Sequence, residues 1–129
     1  MTRFAVMSIP VAVADLAKAL EGFGAGYLLT TTDGRVKVVT VEPTVTDGVV
    51  LVPGPGRGTI ANLAGNRAVT LVFPPPEPKG FTLLVDGTAE VAGDDVRVTP
   101  TGAVLHRPAS HADGPAAPDG CGNDCAPVA

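Results

Sequence analysis

Apolar and polar residues alternate along much of the chain in a pattern typical of β-strands. Residues 27–32 and 35–41 are rich in valine, leucine and threonine, and Asp33-Gly34 between them is a dipeptide typical of hairpin turns. A second Asp-Gly pair, Asp47-Gly48, precedes the apolar run at 49–52. The first half of the chain is therefore predicted to form a meander of strands joined by tight turns.

The second half continues the strand pattern with longer segments. Further strands are predicted at 69–73, 81–91 and 96–106. The proline-rich segment 74–80 is predicted to be an extended loop, because proline has no N–H to donate to a sheet. A bend or bulge is expected near Gly87, and an interruption of the last strand near 100–102.

Helical periodicity is confined to two short stretches. An apolar stripe at i, i+4 and i+7 predicts a helix over 15–23, and a lead-in, residues 1–12, precedes it. Residues 60–64 allow one or two helical turns, with Thr59 as the predicted N-cap. The resulting prediction is a mainly β fold, a six-stranded antiparallel barrel with two short helices.

Composition separates a folded domain from a C-terminal tail. Residues 1–107 are predicted to form one domain, and residues 108–129, rich in proline, alanine and glycine, a flexible tail. The only cysteines, Cys121 and Cys125, lie in that tail. A segment without chemistry, a contribution to a metal site and redox use all remain open, although one pair cannot complete a four-ligand zinc site.

Charge and hydropathy limit the partners. The formal net charge is −4 and no basic patch is present, which argues against nucleic acid. No apolar run approaches the length of a membrane span. The apolar segment near the N-terminus is short and broken by Pro10, so a cytoplasmic location is expected. His106 and His111 show no metal-ligand spacing, and no nucleophile–base pattern identifies a catalytic residue.

The stretch 49–73 carries the candidate chemistry. It is predicted to run from a strand through a Gly/Pro-rich loop into the short helix and a further strand. A glycine-lined loop, Arg57 and a helix N-terminus are suited to an anion such as a phosphate, although such loops more often only turn the chain. Arg35 and Lys37 share one face of a strand, which either meets an anion or faces solvent.

Several of these segments resemble the pyridoxamine 5'-phosphate oxidase-like, FMN-binding split β-barrel family, in particular its small actinobacterial members. The resemblance covers roughly residues 12–107. It is carried by GYLLTTTDGRVKVVTV, Ile60-Ala61-Asn62-Leu63, Asn66-Arg67-Ala68-Val69-Thr70-Leu71 and Val85-Asp86-Gly87-Thr88-Ala89-Glu90-Val91.

The resemblance implies a homodimer that binds FMN or the deazaflavin coenzyme in a cleft between its subunits. Carried over by position, the candidate cofactor-binding residues are Arg35, Lys37, Arg57, Gly58, Thr59 and Asn62. The sequence departs from the family pattern where a lysine often stands three residues before the asparagine, because that position is Thr59 here. The departure leaves open that no cofactor binds, and turn or capping chemistry is the alternative role of Asn62.

Two functions of different classes follow. The first is an FMN- or deazaflavin-dependent oxidoreductase acting on a small molecule, in which the cofactor performs the chemistry. The second is a non-catalytic split-barrel protein that binds a small ligand or cofactor.

Overall fold

An antiparallel sheet accounts for most of the computed structural model, which describes residues 8–117. Its eight strands are β1 (Ser8–Val11), β2 (Gly26–Thr32), β3 (Arg35–Val41), β4 (Thr44–Thr46), β5 (Val49–Val52), β6 (Ala68–Phe73), β7 (Thr82–Ala92) and β8 (Asp95–His106). Two α-helices, α1 (Leu16–Leu20) and α2 (Arg57–Gly65), lie between strands. No helix within residues 8–117 combines the length and apolar character needed to cross a membrane.

The strand order is β3-β2-β6-β7-β8-β5-β4, and β1 pairs with the far end of β8. Because β3 and β4 end this order, the sheet is open, as in a split barrel. The predicted mainly β, antiparallel split barrel with two short helices is therefore confirmed. The predicted number of six strands is wrong, since β1 lies in the predicted lead-in and the three-residue β4 follows Pro43.

A register shift between Asp86 and Gly87 bends the long β7–β8 hairpin. The bulge expected near Gly87 is thus confirmed, and a β-carbon at this position would lie 2.6 Å from Cγ1 of Val98. The interruption expected near 100–102 takes the form of a bulge: β8 continues through these residues, but Gly87 pairs with Pro100 and Asp86 with Gly102, so Thr101 has no partner in the β7–β8 ladder. The irregularity of the bulge accommodates a proline that a regular ladder would exclude.

The core lies on one face of this sheet. Alternate residues along the strands are buried, so that β7 turns Leu83, Val85 and Ala89 inward. Leu16 of α1 and Leu63 of α2 close the core from the helical side. The opposite, outer face of the sheet remains partly accessible.

Helix α2 begins three residues before the start predicted from the sequence. Its N-cap is Gly56, whose φ of 101° lies in the left-handed region that glycine favours. The predicted N-cap at Thr59 is therefore wrong, since Thr59 lies within the first turn and is fully buried. Gly56 turns the chain into the helix without a side-chain cap, so the first backbone N–H groups of α2 have no side-chain capping partner within residues 8–117.

Residues 108–117, at the start of the segment predicted to be flexible, fold back over the loop before β7. The Arg107 guanidinium donates to the backbone oxygens of Lys79, Ala112 and Pro115, and it lies 4.1 Å from the ring centroid of Phe81. We call residues 112–115 the strap. Cys121 and Cys125 lie outside the described residues.

Candidate functional site

A groove lies between the edge strand β3 and helix α2. It encloses about 460 Å³. Its lining residues are Thr32, Asp33, Arg35, Val36, Lys37 and Asn62. Three of the six candidate residues from the sequence therefore lie on one concave surface, which the β2–β3 hairpin and α2 form together.

The Lys37 side chain lies against the first turn of α2. A β-carbon placed on Gly58 would be 2.9 Å from Cε and 3.1 Å from Nζ of Lys37. The N-terminus of a helix carries a partial positive charge, so a neighbouring ammonium group is unfavourable unless an anion lies between them. No acidic residue occupies the first turn of α2, and no ion pair of Lys37 is formed within residues 8–117.

Two arginines extend this positive region. Arg35 lies two residues from Lys37 on the same face of β3, and Arg57 is the first residue of α2, next to Gly58. Both side chains are exposed, and neither forms an ion pair in the described part of the chain. Asp33 contributes the one carboxylate of the groove lining. The site thus concentrates cations in a chain whose overall formal charge is −4.

Asn62 joins α2 to β2. Its Nδ2 donates to Oγ1 of Thr30 over 3.1 Å, and its backbone oxygen accepts a hydrogen bond of 2.9 Å from Oγ1 of Thr32. The sequence identified Asn62 but neither threonine as part of the site. The register of the β2–β3 hairpin could have identified both threonines, because Thr30 pairs with Lys37 and Thr32 pairs with Arg35.

Thr59 is placed differently from the other candidates. It is 0% exposed, and its Oγ1 is buried without a hydrogen-bond partner among the described residues. Together with Leu63 it forms the buried face of α2. Its hydroxyl therefore lies beneath the helix, whereas Gly58 and Arg57 are accessible at the helix end.

A second cavity, of about 530 Å³, lies at the other end of the sheet beside β4, β5 and β8. Its charged lining residues are Asp47, Asp95 and Arg97, so carboxylates outnumber cations there. One of these carboxylates is engaged, because Asp95 accepts the N–H of Gly54 over 2.9 Å. Because carboxylates repel an anion, this cavity is less suited to a phosphate than the β3–α2 groove. Residues 8–117 contain no cluster of His, Cys, Asp and Glu side chains that could hold a metal ion.

The outer face of the sheet beside the groove is apolar. Val36 and Val38 of β3 are 62% and 54% exposed, and Tyr27 of β2 is also exposed. These side chains share one face of the sheet. Val38 pairs with Leu29, which lies two residues from Tyr27 and therefore on the same face of β2. The partly buried Val72 of β6 pairs with Tyr27 and lies on this face too. Exposed apolar side chains on one face of neighbouring strands mark an interaction site more often than scattered exposed residues do.

Comparison of the sequence with known proteins identifies relatives in mycobacteria. No protein-family model matches the chain. Uncharacterized proteins from Mycobacterium bovis and Mycobacterium tuberculosis are 41% identical to it over 127 residues, and the match covers 85% of this chain and 89% of each relative.

Solved structures share the architecture at lower identity. The FAD binding protein from Mycobacterium smegmatis is 20% identical and superposes with a TM-score of 0.62, covering 77% of this chain and 97% of its own. A protein assigned as a pyridoxamine 5'-phosphate oxidase from Listeria innocua is 14% identical, with a TM-score of 0.58 and coverage of 72% and 96%. An F420 reductase is 19% identical, with a TM-score of 0.51 and coverage of 70% and 91%. The chain therefore belongs to the family of the two mycobacterial proteins, and its fold is that of the pyridoxamine 5'-phosphate oxidase-like, FMN-binding split β-barrels.

Proposed function

We propose that this protein binds a flavin-type cofactor and holds the cofactor's phosphate in the groove between β3 and α2. The observation that carries the proposal is the contact of Lys37 with Gly58 at the uncapped N-terminus of α2. An anion between the ammonium group and the helix N–H groups would convert a repulsive arrangement into an attractive one. The FAD binding protein and the F420 reductase, which share the fold, support a cofactor of this class.

The residues of the groove fit a phosphate. Lys37 supplies a compact positive charge, and the backbone N–H of the exposed Gly58, in the first turn of α2, supplies a hydrogen-bond donor. Arg35 and Arg57 flank this point as exposed cations. Asp33 at the rim disfavours a second anionic group on its side, which orients a ligand that carries one negative end.

The cofactor's ring would supply hydride or electron transfer, and we propose an FMN- or deazaflavin-dependent oxidoreductase acting on a small molecule. The protein would bind the phosphate, orient the ring and shape the surrounding surface. The alternative is a binding protein without catalysis. It is favoured by Thr59, because a position where the family often has a lysine holds a buried, uncharged side chain here.

A homodimer is part of the same proposal. The exposed apolar face formed by Val36, Val38 and Tyr27 meets the groove at Val36, so a second copy packed on this face would lie along the edge strand beside the groove. Val38→Asp should then shift the protein towards the monomer in sedimentation velocity. Val91→Asp is the control, since Val91 is similarly exposed on a different strand. A wild-type monomer at micromolar concentration would contradict the dimer.

Calorimetric titration of the wild type with FMN, FAD and the deazaflavin coenzyme tests the cofactor proposal. Lys37→Gln should weaken the binding that is observed by about ten- to a hundredfold, because a charge-assisted contact contributes roughly 1.5–3 kcal/mol. Arg97→Gln, which removes an exposed cation from the other end of the sheet, should leave affinity unchanged. Failure of all three cofactors to bind would refute the proposal.

Enzyme and binding protein are separated by a second assay. The protein is loaded with reduced cofactor, and the absorbance of the ring is followed after small quinone or nitroaromatic acceptors are added. Reoxidation faster than that of the free cofactor supports the oxidoreductase. Equal or slower reoxidation with every acceptor, despite tight binding, supports the binding protein.

A further inference from the structure

Two hydrogen bonds join α2 to β2 close to the contact between Lys37 and Gly58. We propose that Thr30, Asn62 and Thr32 form a positioning latch, which sets the N-terminus of α2 against Lys37. The inference rests on the proposed function, in which that junction receives the cofactor's phosphate. It assigns Asn62 the role of a positioning residue.

The latch and the anion site are two parallel contacts between the same elements. Asn62 follows Gly58 by four residues, so both lie on one side of α2 about 6 Å apart along its axis. Across the hairpin, Thr30 pairs directly with Lys37. Asn62 bonds to Thr30 and Gly58 contacts Lys37, so a rotation or shift of α2 that breaks the first contact also displaces the second.

Apolar packing alone does not fix this helix. Within α2 only Thr59 and Leu63 are buried, and the Thr59 hydroxyl makes no hydrogen bond among the described residues. Burial of Leu63 and the packing of the partly buried Ile60 are non-directional, so they hold the nine-residue helix on the core without closely fixing its rotation. The two directional bonds from β2, of 3.1 Å and 2.9 Å, therefore determine its orientation.

The bonding of Asn62 supports a positioning role. Its Nδ2 is directed to Thr30, and its backbone oxygen accepts from Thr32 and from the N–H of Asn66. Thr30 is 1% exposed, so its hydroxyl has no alternative partner in solvent. The Nδ2 side of the amide is thereby held in the helix–strand contact, beside the groove that Asn62 lines.

Two substitutions of Thr30 separate positioning from stability. Thr30→Val keeps the shape and volume of the buried side chain but removes the hydroxyl that accepts from Asn62. Thr30→Ser keeps the hydroxyl and removes a buried methyl group. A positioning role predicts that Thr30→Val weakens FMN binding by about five- to tenfold. It predicts that Thr30→Ser keeps the wild-type affinity while lowering the melting temperature, because the lost methyl group leaves a small cavity.

The matched control is Thr99→Val, on an exposed position of β8 for which the structure gives no side-chain hydrogen bond. It should leave both affinity and melting temperature unchanged. Affinity that follows the melting temperature in both Thr30 variants would overturn the positioning role. Unchanged affinity in Thr30→Val would do the same.

A readout without ligand keeps the latch testable if the cofactor proposal fails. The contact between Lys37 and Gly58 predicts a nuclear Overhauser effect between the Lys37 Hε protons and the Gly58 Hα protons. This signal should be lost in Thr30→Val and retained in Thr30→Ser. If it persists in Thr30→Val, the latch is refuted. If it behaves as expected and no cofactor binds, the latch stands and the proposed function falls.

Discussion

Replacing Arg107 tests how the C-terminal strap is attached. Arg107 is only 5% exposed, and no carboxylate pairs with it within residues 8–117. Its guanidinium instead donates to three backbone oxygens and covers the ring of Phe81. Arg107→Met removes these donors and retains an unbranched apolar side chain that can still cover the ring.

The expected loss is dominated by one bond. The contact to the Pro115 oxygen is 2.6 Å long, and a hydrogen bond from a charged donor contributes roughly 1.5–3 kcal/mol. The bonds of 3.3 Å and 3.4 Å add little, and the cation–π contact adds about 1 kcal/mol. Burial of Nε, which has no hydrogen-bond partner in the part of the chain that the structure describes, offsets part of this sum, so we expect a net destabilisation of about 2–3 kcal/mol.

Chemical and thermal unfolding followed by circular dichroism measure this difference. At about 4 °C per kcal/mol, the melting temperature should fall by about 8–12 °C. The N–H of Gly114, in the strap, should exchange faster with solvent in the variant. Arg97→Met, at an exposed arginine, is the control and should change stability by less than about 0.5 kcal/mol. An Arg107→Met protein as stable as the wild type would refute the attachment of the strap through this guanidinium.

Two further predictions concern buried positions. Thr59→Val should raise the free energy of unfolding by about 1 kcal/mol in denaturant titration, because it removes a buried hydroxyl that has no partner among the described residues. A loss of stability would instead show that the hydroxyl is bonded to a buried water or ligand. Gly87→Ala should lower the melting temperature strongly, since its β-carbon would lie 2.6 Å from Val98 and 2.7 Å from the backbone oxygen of Thr99. A melting temperature equal to that of the wild type would contradict this prediction, because it would mean that β7 and β8 can move apart at the bulge without loss of stability.

Local sequence signals sufficed where structure is set by neighbours in the chain. Strand β3 lies at the predicted residues, because Asp33-Gly34 fixes the hairpin and valines fill the strand. Both turn residues have positive φ, as tight hairpin turns require. Strand β1 was missed because Ser8–Val11 is short and contains Pro10, and its partner strand lies at the other end of the chain.

In the candidate site, too, the sequence indicated the residues whose role depends on residue type and missed those whose role depends on distant contacts. The sequence indicated the cations Arg35, Lys37 and Arg57 as residue types suited to phosphate. It did not indicate Thr30 or Thr32, because their roles depend on how α2 docks on β2 across about thirty residues of intervening chain. The start of α2 was placed too late because a glycine in the first turn resembles a continuing loop.

The central claim is that the groove between β3 and α2 holds the phosphate of a flavin-type cofactor. Backbone amide chemical shifts of the ¹⁵N-labelled protein, followed during titration with FMN and then with riboflavin, test it most directly. The claim predicts saturable shifts at Lys37, Arg57, Gly58 and Thr59 with FMN, and much smaller shifts at these residues with riboflavin, which lacks the phosphate. Equal shifts with both compounds, or FMN-induced shifts confined to the cavity beside β4 and β5, would contradict the claim.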